Sequence, residues 1–275
     1  MSELNKIDFA IVMRVDKALP NGDPANNNMP REDFQGYGLM TDGCIKRKIR
    51  NTLSDMGYPI FGQSDDRKVD KYNSLSERFK EEIPAEVRTS MDDTIRAICE
   101  KWFDVRAFGT VCAFKVDGES VSTNVKGAVT FRIARSIEPI DVIPLQITKS
   151  FNGESVAKGK SSDTMGMKYV VDDAVYVSYG SISVNQANEN GFTEADAETL
   201  KEAILYMFAN DASAARPSGS MEVVNLVWWK HNCPAGNLPS AKVHRSLSVK
   251  REGNDYKIEV KELENITCEI LEGRS

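Results

Sequence analysis

Ile7, Phe9, Ile11, Met13 and Val15 alternate with Asp8, Ala10, Val12 and Arg14, which predicts a strand with at least one buried face. A helical period takes over at Ile45, Ile49 and Leu53, spaced i, i+4 and i+8 on one face. Leu75, Phe79 and Ile83 fit a second helix and Ile95, Ile98 and Trp102 a third, with charges and Pro84 between them. Val111 to Phe114 and the alternating Val129, Phe131 and Ile133 read as strands. Residues 149–166 carry no periodicity and are rich in Lys, Ser and Gly; loops of that length are uncommon inside a compact domain. Tyr169 to Val171 and Ala174 to Tyr179 flank Asp172-Asp173 and read as a hairpin. Ala197, Leu200, Ile204, Met207 and Phe208 stripe a helix from about Glu194 to Ala209, with Thr193 as its N-cap. Glu222 to Trp229, and then Tyr256, Ile258 and Val260, complete the pattern as strands.

Strand, helix, strands, helix, strand is the order of a ferredoxin-like, RNA-recognition-type βαββαβ unit, an α+β fold. A chain of 275 residues far exceeds such a unit, so it is read as a single heavily inserted domain over 1–275, with a helical insertion at about 62–102. The sequence shows no aromatic pair of the kind that stacks bases on an open RNA-recognition sheet.

Composition changes this picture in two places. The net charge of −6 opposes steering of a nucleic acid by the whole molecule. Screening beyond about 8 Å at physiological salt still leaves room for a local cationic strip. Five cysteines, Cys44, Cys99, Cys112, Cys233 and Cys268, are scattered with no C-x-x-C, which predicts reduced thiols and a cytoplasmic location. The N-terminal residues read directly into strand-like sequence without a secretory segment, and no apolar run reaches membrane-span length.

The chemistry gathers in one stretch. A turn-rich loop, Asn21-Gly22-Asp23-Pro24-Ala25-Asn26-Asn27-Asn28-Met29-Pro30-Arg31, is followed by the helix Thr41-Asp42-Gly43-Cys44-Ile45-Lys46-Arg47-Lys48-Ile49-Arg50-Asn51. Lys46, Arg47 and Arg50 fall within an arc of roughly 100° beside the apolar stripe, and Lys48 projects from the other flank. Backbone donors, a positive helix end and clustered cations suit a phosphate chain, although such a cluster is more often an ordinary solvated face. A second, looser basic group comprises Lys242, His244, Arg245, Lys250 and Arg251. Catalytic signals are weak: His231 and His244 stand apart, His231 and Cys233 lack a companion pair for a metal, and Cys44 fits a core position. Asp23 in the glycine loop is the one carboxylate with an arguable role, and an Asp-Pro step more often closes a turn.

The loop Asn21-Gly22-Asp23-Pro24, the segment Met29-Pro30-Arg31 and the basic helix closely resemble the backbone subunit of the type I-C CRISPR Cascade, in the repeat-associated mysterious protein superfamily. Phe103-Asp104-Val105-Arg106-Ala107-Phe108-Gly109, Phe131-Arg132-Ile133-Ala134-Arg135-Ser136-Ile137-Glu138-Pro139-Ile140 and Thr164-Met165-Gly166-Met167-Lys168-Tyr169 extend the likeness in order along most of the chain. The resemblance implies a palm of the fold above, a helical elaboration and a projecting thumb loop or hairpin, about 145–180. It also implies a non-enzymatic subunit without cofactor or metal, several copies of which line one CRISPR RNA beside other Cascade subunits. Target DNA would be met through the exposed guide bases, for antiviral defence. On that view RNA contacts fall to Asn21, Asn26, Arg31, Lys46, Arg47, Lys48 and Arg50, and to Lys149, Lys158, Lys160 and Lys168 of the thumb. Met167 and Tyr169 depart from the Arg and His of many relatives. Two other classes stay open: a metal-dependent ribonuclease acting through Asp23, as in type III backbone subunits, and a protein-only scaffold whose basic helix binds an acidic neighbour.

Overall fold

The computed structural model describes residues 4–116, 119–148, 165–253 and 255–274. Strand Ile7–Ala18 lies at the centre of an eight-stranded sheet, antiparallel to Met165–Ile182 on one side and to Met221–His231 on the other. Beyond the long strand, the short segments Val129–Phe131, Ala134–Pro139 and Val142–Thr148 pair with it in succession. Taken together as one split strand, they complete the 4-1-3-2 order of a βαββαβ palm. Helix Asp42–Asp55 follows the first palm strand and helix Glu194–Leu205 the third. Tyr37–Met40 and Ile266–Glu272 extend the sheet at its two edges.

Alternation on the central strand serves two cores. Phe9, Ile11, Met13 and Val15 face the helices and pack with Ile45, Ile49, Leu53, Leu200, Ile204 and Trp228. Ala10 and Val12 face the opposite way, against Val175, Val177, Val227, Trp229, Val243 and Leu247. That second face is covered by helix Ser240–His244 and the hairpin of Leu247–Glu252 with Asp255–Val260. The sheet surface on which an RNA-recognition module stacks bases is therefore closed here by the C-terminal layer. Each fully buried large side chain contributes about 1.5–3 kcal/mol, and Phe9 stacks on Trp228 at 5.3 Å within the main core.

A separate core holds the helical insertion. Phe61, Phe79, Ile83, Ile98, Cys99, Trp102 and Val105 pack there with Cys112, Val116 and Val125 from the hairpin Gly109–Val116 and Glu119–Lys126. The insertion thus reaches past the residue 102 expected from sequence. Helices Leu75–Glu82 and Met91–Lys101 fall where the periodicity puts them.

Three expectations are corrected. Asp172-Asp173 is no hairpin: Met165–Ile182 runs through it as one strand. Asp173 is neutralised by Arg14 at 3.1 Å and Arg251 at 2.7 Å, and Asp172 by Lys17 at 3.2 Å, so the acidic pair has no need of a turn. The second palm helix stops at Leu205, although Met207 and Phe208 remain core residues in the turn beyond. Asp255–Val260 is not the last strand, because Ile266–Glu272 returns to the main sheet.

Asp8, on the covered face, is wholly buried. The His231 ring accepts the Asn237 N–H at Nδ1 (2.9 Å), which puts its own proton on Nε2, donated to Asp8 Oδ2 at 2.9 Å. Both ring nitrogens are engaged, so His231 is no metal ligand, and His244 is likewise buried with Nε2 donating to the Gly180 carbonyl. Burial by itself raises the Asp8 pKa; the Ser240 hydroxyl, the His231 ring, the Lys6 ammonium and the Ser181 hydroxyl outweigh it and hold the carboxyl below its ordinary value. A depressed folded-state pKa contributes stability above the unfolded value, near 3.9, and loses it as pH falls through the folded one. Asp8→Asn is expected to flatten the acid limb of stability below about pH 4. Urea unfolding at pH 7 and pH 3 measures this; an unchanged pH 7 to pH 3 difference in Asp8→Asn would remove Asp8 from the acid response.

Candidate nucleic-acid interface

The glycine loop is a small closed structure. Gly22–Asp23 pairs with Met29–Pro30, and the Asp23 carbonyl accepts the N–H groups of Asn26 and Asn28. Asp23 Oδ1 accepts the Ala25 N–H at 3.2 Å and lies 3.4 Å from the Arg31 guanidinium. Asp23 thus closes the turn, and Arg31 is turned inward onto it. Asn26 is exposed at the tip. Asn21 fastens the loop to the basic helix: its Oδ1 accepts the Thr41 N–H and hydroxyl, and the Thr41 hydroxyl accepts the Cys44 N–H as N-cap. Cys44 itself is largely enclosed, and burial pushes its thiol pKa up, away from reactivity.

On helix Asp42–Asp55 the apolar stripe is buried as expected, but the cations are not a free row. Lys46 pairs one turn back with Asp42 at 3.0 Å. Arg47 donates to the Gly62 carbonyl. Lys48 is buried, ion-paired with Asp211 and set over the Phe208 ring, and burial pulls its pKa down. Arg50 donates to Asp104 at 2.8 Å and lies over Phe108. Lys48 and Arg50, both expected as phosphate contacts, are thus each engaged by a carboxylate within the protein. Each is held by a carboxylate that the helix's own sequence does not contain.

What the fold does assemble is a polar cleft of about 670 Å³ between the N-terminal half of this helix, the segment around Ser64–Arg67 and the turn Asn210–Arg216. Asn21, Arg47, Asn51, Arg67 and Arg216 line it, with Lys48 at its wall. Arg67 holds Asp55 through both carboxylate oxygens, at 3.0 and 2.9 Å, and reaches the Asn210 carbonyl. Arg216 donates to Asp211 at 2.8 Å. Both side chains keep close to a third of their surface in solvent, and a guanidinium carries five N–H donors, more than these contacts use. Three planar guanidinium forks with amide and hydroxyl neighbours suit phosphate oxygens, in a lining that also holds the carboxylates of Asp66 and Asp211.

Sequence reading missed Arg67 and Arg216, since each is a lone cation in a turn and only the tertiary fold brings them beside Arg47. Lys168, from the ribbon formed by Val142–Thr148 and Met165–Val171, donates to the Ala214 carbonyl and so ties that ribbon to the same turn. Lys149, Lys158 and Lys160 lie outside the described residues, as does most of the 149–166 segment. In the second basic group His244 is buried and Arg251 is engaged by Asp173, while Lys242, Arg245 and Lys250 are exposed. Among the described residues no three His, Cys, Asp or Glu side chains gather as a metal site, and no helix is long and apolar enough to cross a membrane.

A Haloferax volcanii protein described as CRISPR-associated protein Cas7 is 25% identical over 221 residues, covering 73% of this chain. The match spans 63% of that relative's own length. A chain of a solved CRISPR RNA-guided surveillance complex in a pre-nicking state superposes with a TM-score of 0.55 at 13% identity, over 91% of this chain and 84% of that one; at this identity the likeness is one of fold. Residues 5–270 match the family model for CRISPR-associated protein Cas7, and the chain belongs to that family.

Proposed function

We propose that this protein is a guide-RNA-binding backbone subunit of a type I-C Cascade. Copies lie side by side along one CRISPR RNA, hold its sugar–phosphate chain and leave its bases free to pair with target DNA. The observation that carries this reading is the Arg47–Arg67–Arg216 cleft on a Cas7-family palm whose sheet face is closed. With base stacking on the sheet blocked, backbone contact is the mode left to this surface, and sequence is read by pairing in the guide. Asn26 at the loop tip and Lys46 on the helix flank extend the phosphate path, and the ribbon rooted at Lys168 forms the thumb. The chain is read as one inserted domain working in the cytoplasm beside other Cascade subunits.

The purified protein is expected to carry RNA, read as an absorbance ratio and a gel band. Assembly that survives RNA removal unchanged would favour the protein-only scaffold.

Asp23 is assigned a turn, not a reaction. Its carboxylate is engaged by the Ala25 N–H and lies beside the Arg31 guanidinium. Incubated with complementary RNA and Mg²⁺, the assembled complex is expected to give no regular fragments, with Asp23→Ala indistinguishable from the parent. Fragments at even spacing that vanish in Asp23→Ala would establish the ribonuclease instead.

A further inference from the structure

Phe34 is wholly exposed at the tip of the turn between the glycine loop and the basic helix. Single exposed apolar residues are ordinary on protein surfaces, but this one is held with unusual rigour. Asp33 Oδ1 accepts the N–H groups of Gln35 and Tyr37 at 2.9 and 3.1 Å. Its other oxygen accepts from Arg135 Nε at 2.8 Å, and Arg135 also donates to Gln35 while its guanidinium lies 3.5 Å from the Tyr37 ring centroid. Gly36, at φ +80°, lets the chain turn back. The ring is thus presented on a pre-ordered support, which lowers the entropic cost of docking it.

A candidate receptor lies in the helical insertion. Between helix Leu75–Glu82, the start of helix Met91–Lys101 and the strands Gly109–Val116 and Glu119–Lys126 is an open cavity of about 530 Å³. Phe79, Val116 and Val121 form its apolar side, with Met91, Arg88 and Ser122 among its other lining residues. The sheet register places the segments that lead to each at opposite ends of the central strand. The Phe34 turn leads into Tyr37, paired with Pro139, in the region where the central strand ends. The cavity's hairpin leads into Val129–Phe131, paired with Gly180–Ile182 opposite the start of that strand. A strand of 12 residues separates the two ends, roughly 40 Å at about 3.3 Å per residue.

From this geometry we infer that Phe34 of one copy inserts into the cavity of the helical insertion of the next copy, a head-to-tail contact between successive backbone subunits. Complementary patches at opposite ends of one chain make a heterologous interface, which propagates instead of closing. The inference rests on the proposal that copies adjoin along a guide.

The test uses Phe34→Ala, which removes the knob, and Ser122→Trp, which fills the cavity from its lining. Each is expected to weaken assembly on a long guide RNA about tenfold or more, by sedimentation, and to leave binding to a guide too short for two copies unchanged. Mixed on a two-copy guide, the variants are expected to recover pairing, because an intact Phe34 on one meets an intact cavity on the other. On a long guide the mixture should stop at pairs. Loss of short-guide binding in Phe34→Ala would mean that the ring stacks on bases. Unaltered long-guide assembly, or no recovery in the mixture, would equally overturn the contact. If the parent binds no guide at all, the functional proposal fails on its own. Association of the protein alone at high concentration, abolished in Phe34→Ala, then still reads the contact.

Discussion

Asp104→Ala is expected to lower the unfolding free energy by about 3–5 kcal/mol, more than any surface substitution in this chain, because it breaks a buried ion pair from one side. The Asp104 side chain is 3% exposed. It accepts the Phe61 N–H at 2.7 Å, the Gly62 N–H at 3.0 Å and the Arg50 Nε–H at 2.8 Å. Truncation leaves two backbone donors and a largely enclosed guanidinium without their acceptor. It also unpins the start of the helical insertion from the basic helix. Lys46→Ala, which removes only an i,i+4 pair, should stay within about 0.5 kcal/mol. Urea unfolding with a constant m-value measures both. A loss under about 1 kcal/mol in Asp104→Ala would show that the insertion holds its place without this carboxylate.

This pair also marks where sequence reading stops. Period 2 at Ile7–Val15 finds the central strand, and period 3.6 at Ile45, Ile49 and Leu53 finds the buried side of the basic helix. Thr193 is legible as a cap, and the structure adds the reciprocal bond in which the Asp196 carboxylate accepts the Thr193 N–H, making a capping box. Periodicity assigns a residue to a face; it does not say what else covers that face. Arg50 meets a carboxylate 54 positions away and Lys48 one 163 positions away. Neither partner carries a local signal. Asp172-Asp173 misleads for the same reason: two adjacent acids resemble a turn until Arg14, Lys17 and Arg251 arrive from other strands. The family likeness points to the same loop and helix that border the cleft. Which cations of that region stay available is decided by contacts between segments far apart in the chain.

Those long-range contacts change the experiment that tests RNA binding. Stripping Lys46, Arg47 and Arg50 together looks harmless on a helical wheel, but Arg50→Ala would strand Asp104 and confuse weakened binding with a weakened fold. The informative triple variant is Arg47→Ala, Arg67→Ala and Arg216→Ala. The Arg67–Asp55 pair is partly exposed and contributes about 0–1 kcal/mol. Asp211 keeps Lys48 when Arg216 is gone. Arg47→Ala gives up its hydrogen bond to the Gly62 carbonyl, about 0.5–1.5 kcal/mol, so the unfolding midpoint should fall modestly and far less than in Asp104→Ala. Every phosphate that the protein no longer neutralises reduces the salt slope of single-strand binding by about 0.7, so three should reduce it by about 2. Across a fourfold rise in salt, from about 50 to about 200 mM, the parent's affinity should fall by roughly 16-fold more than that of the triple variant, since four squared is about 16. Lys242→Ala with Arg245→Ala and Lys250→Ala, on the exposed C-terminal layer, should leave the slope unchanged and serves as the charge-matched control. A parental slope in the cleft variant together with a reduced slope in the control would move the RNA path from the Arg47 cleft to the C-terminal layer.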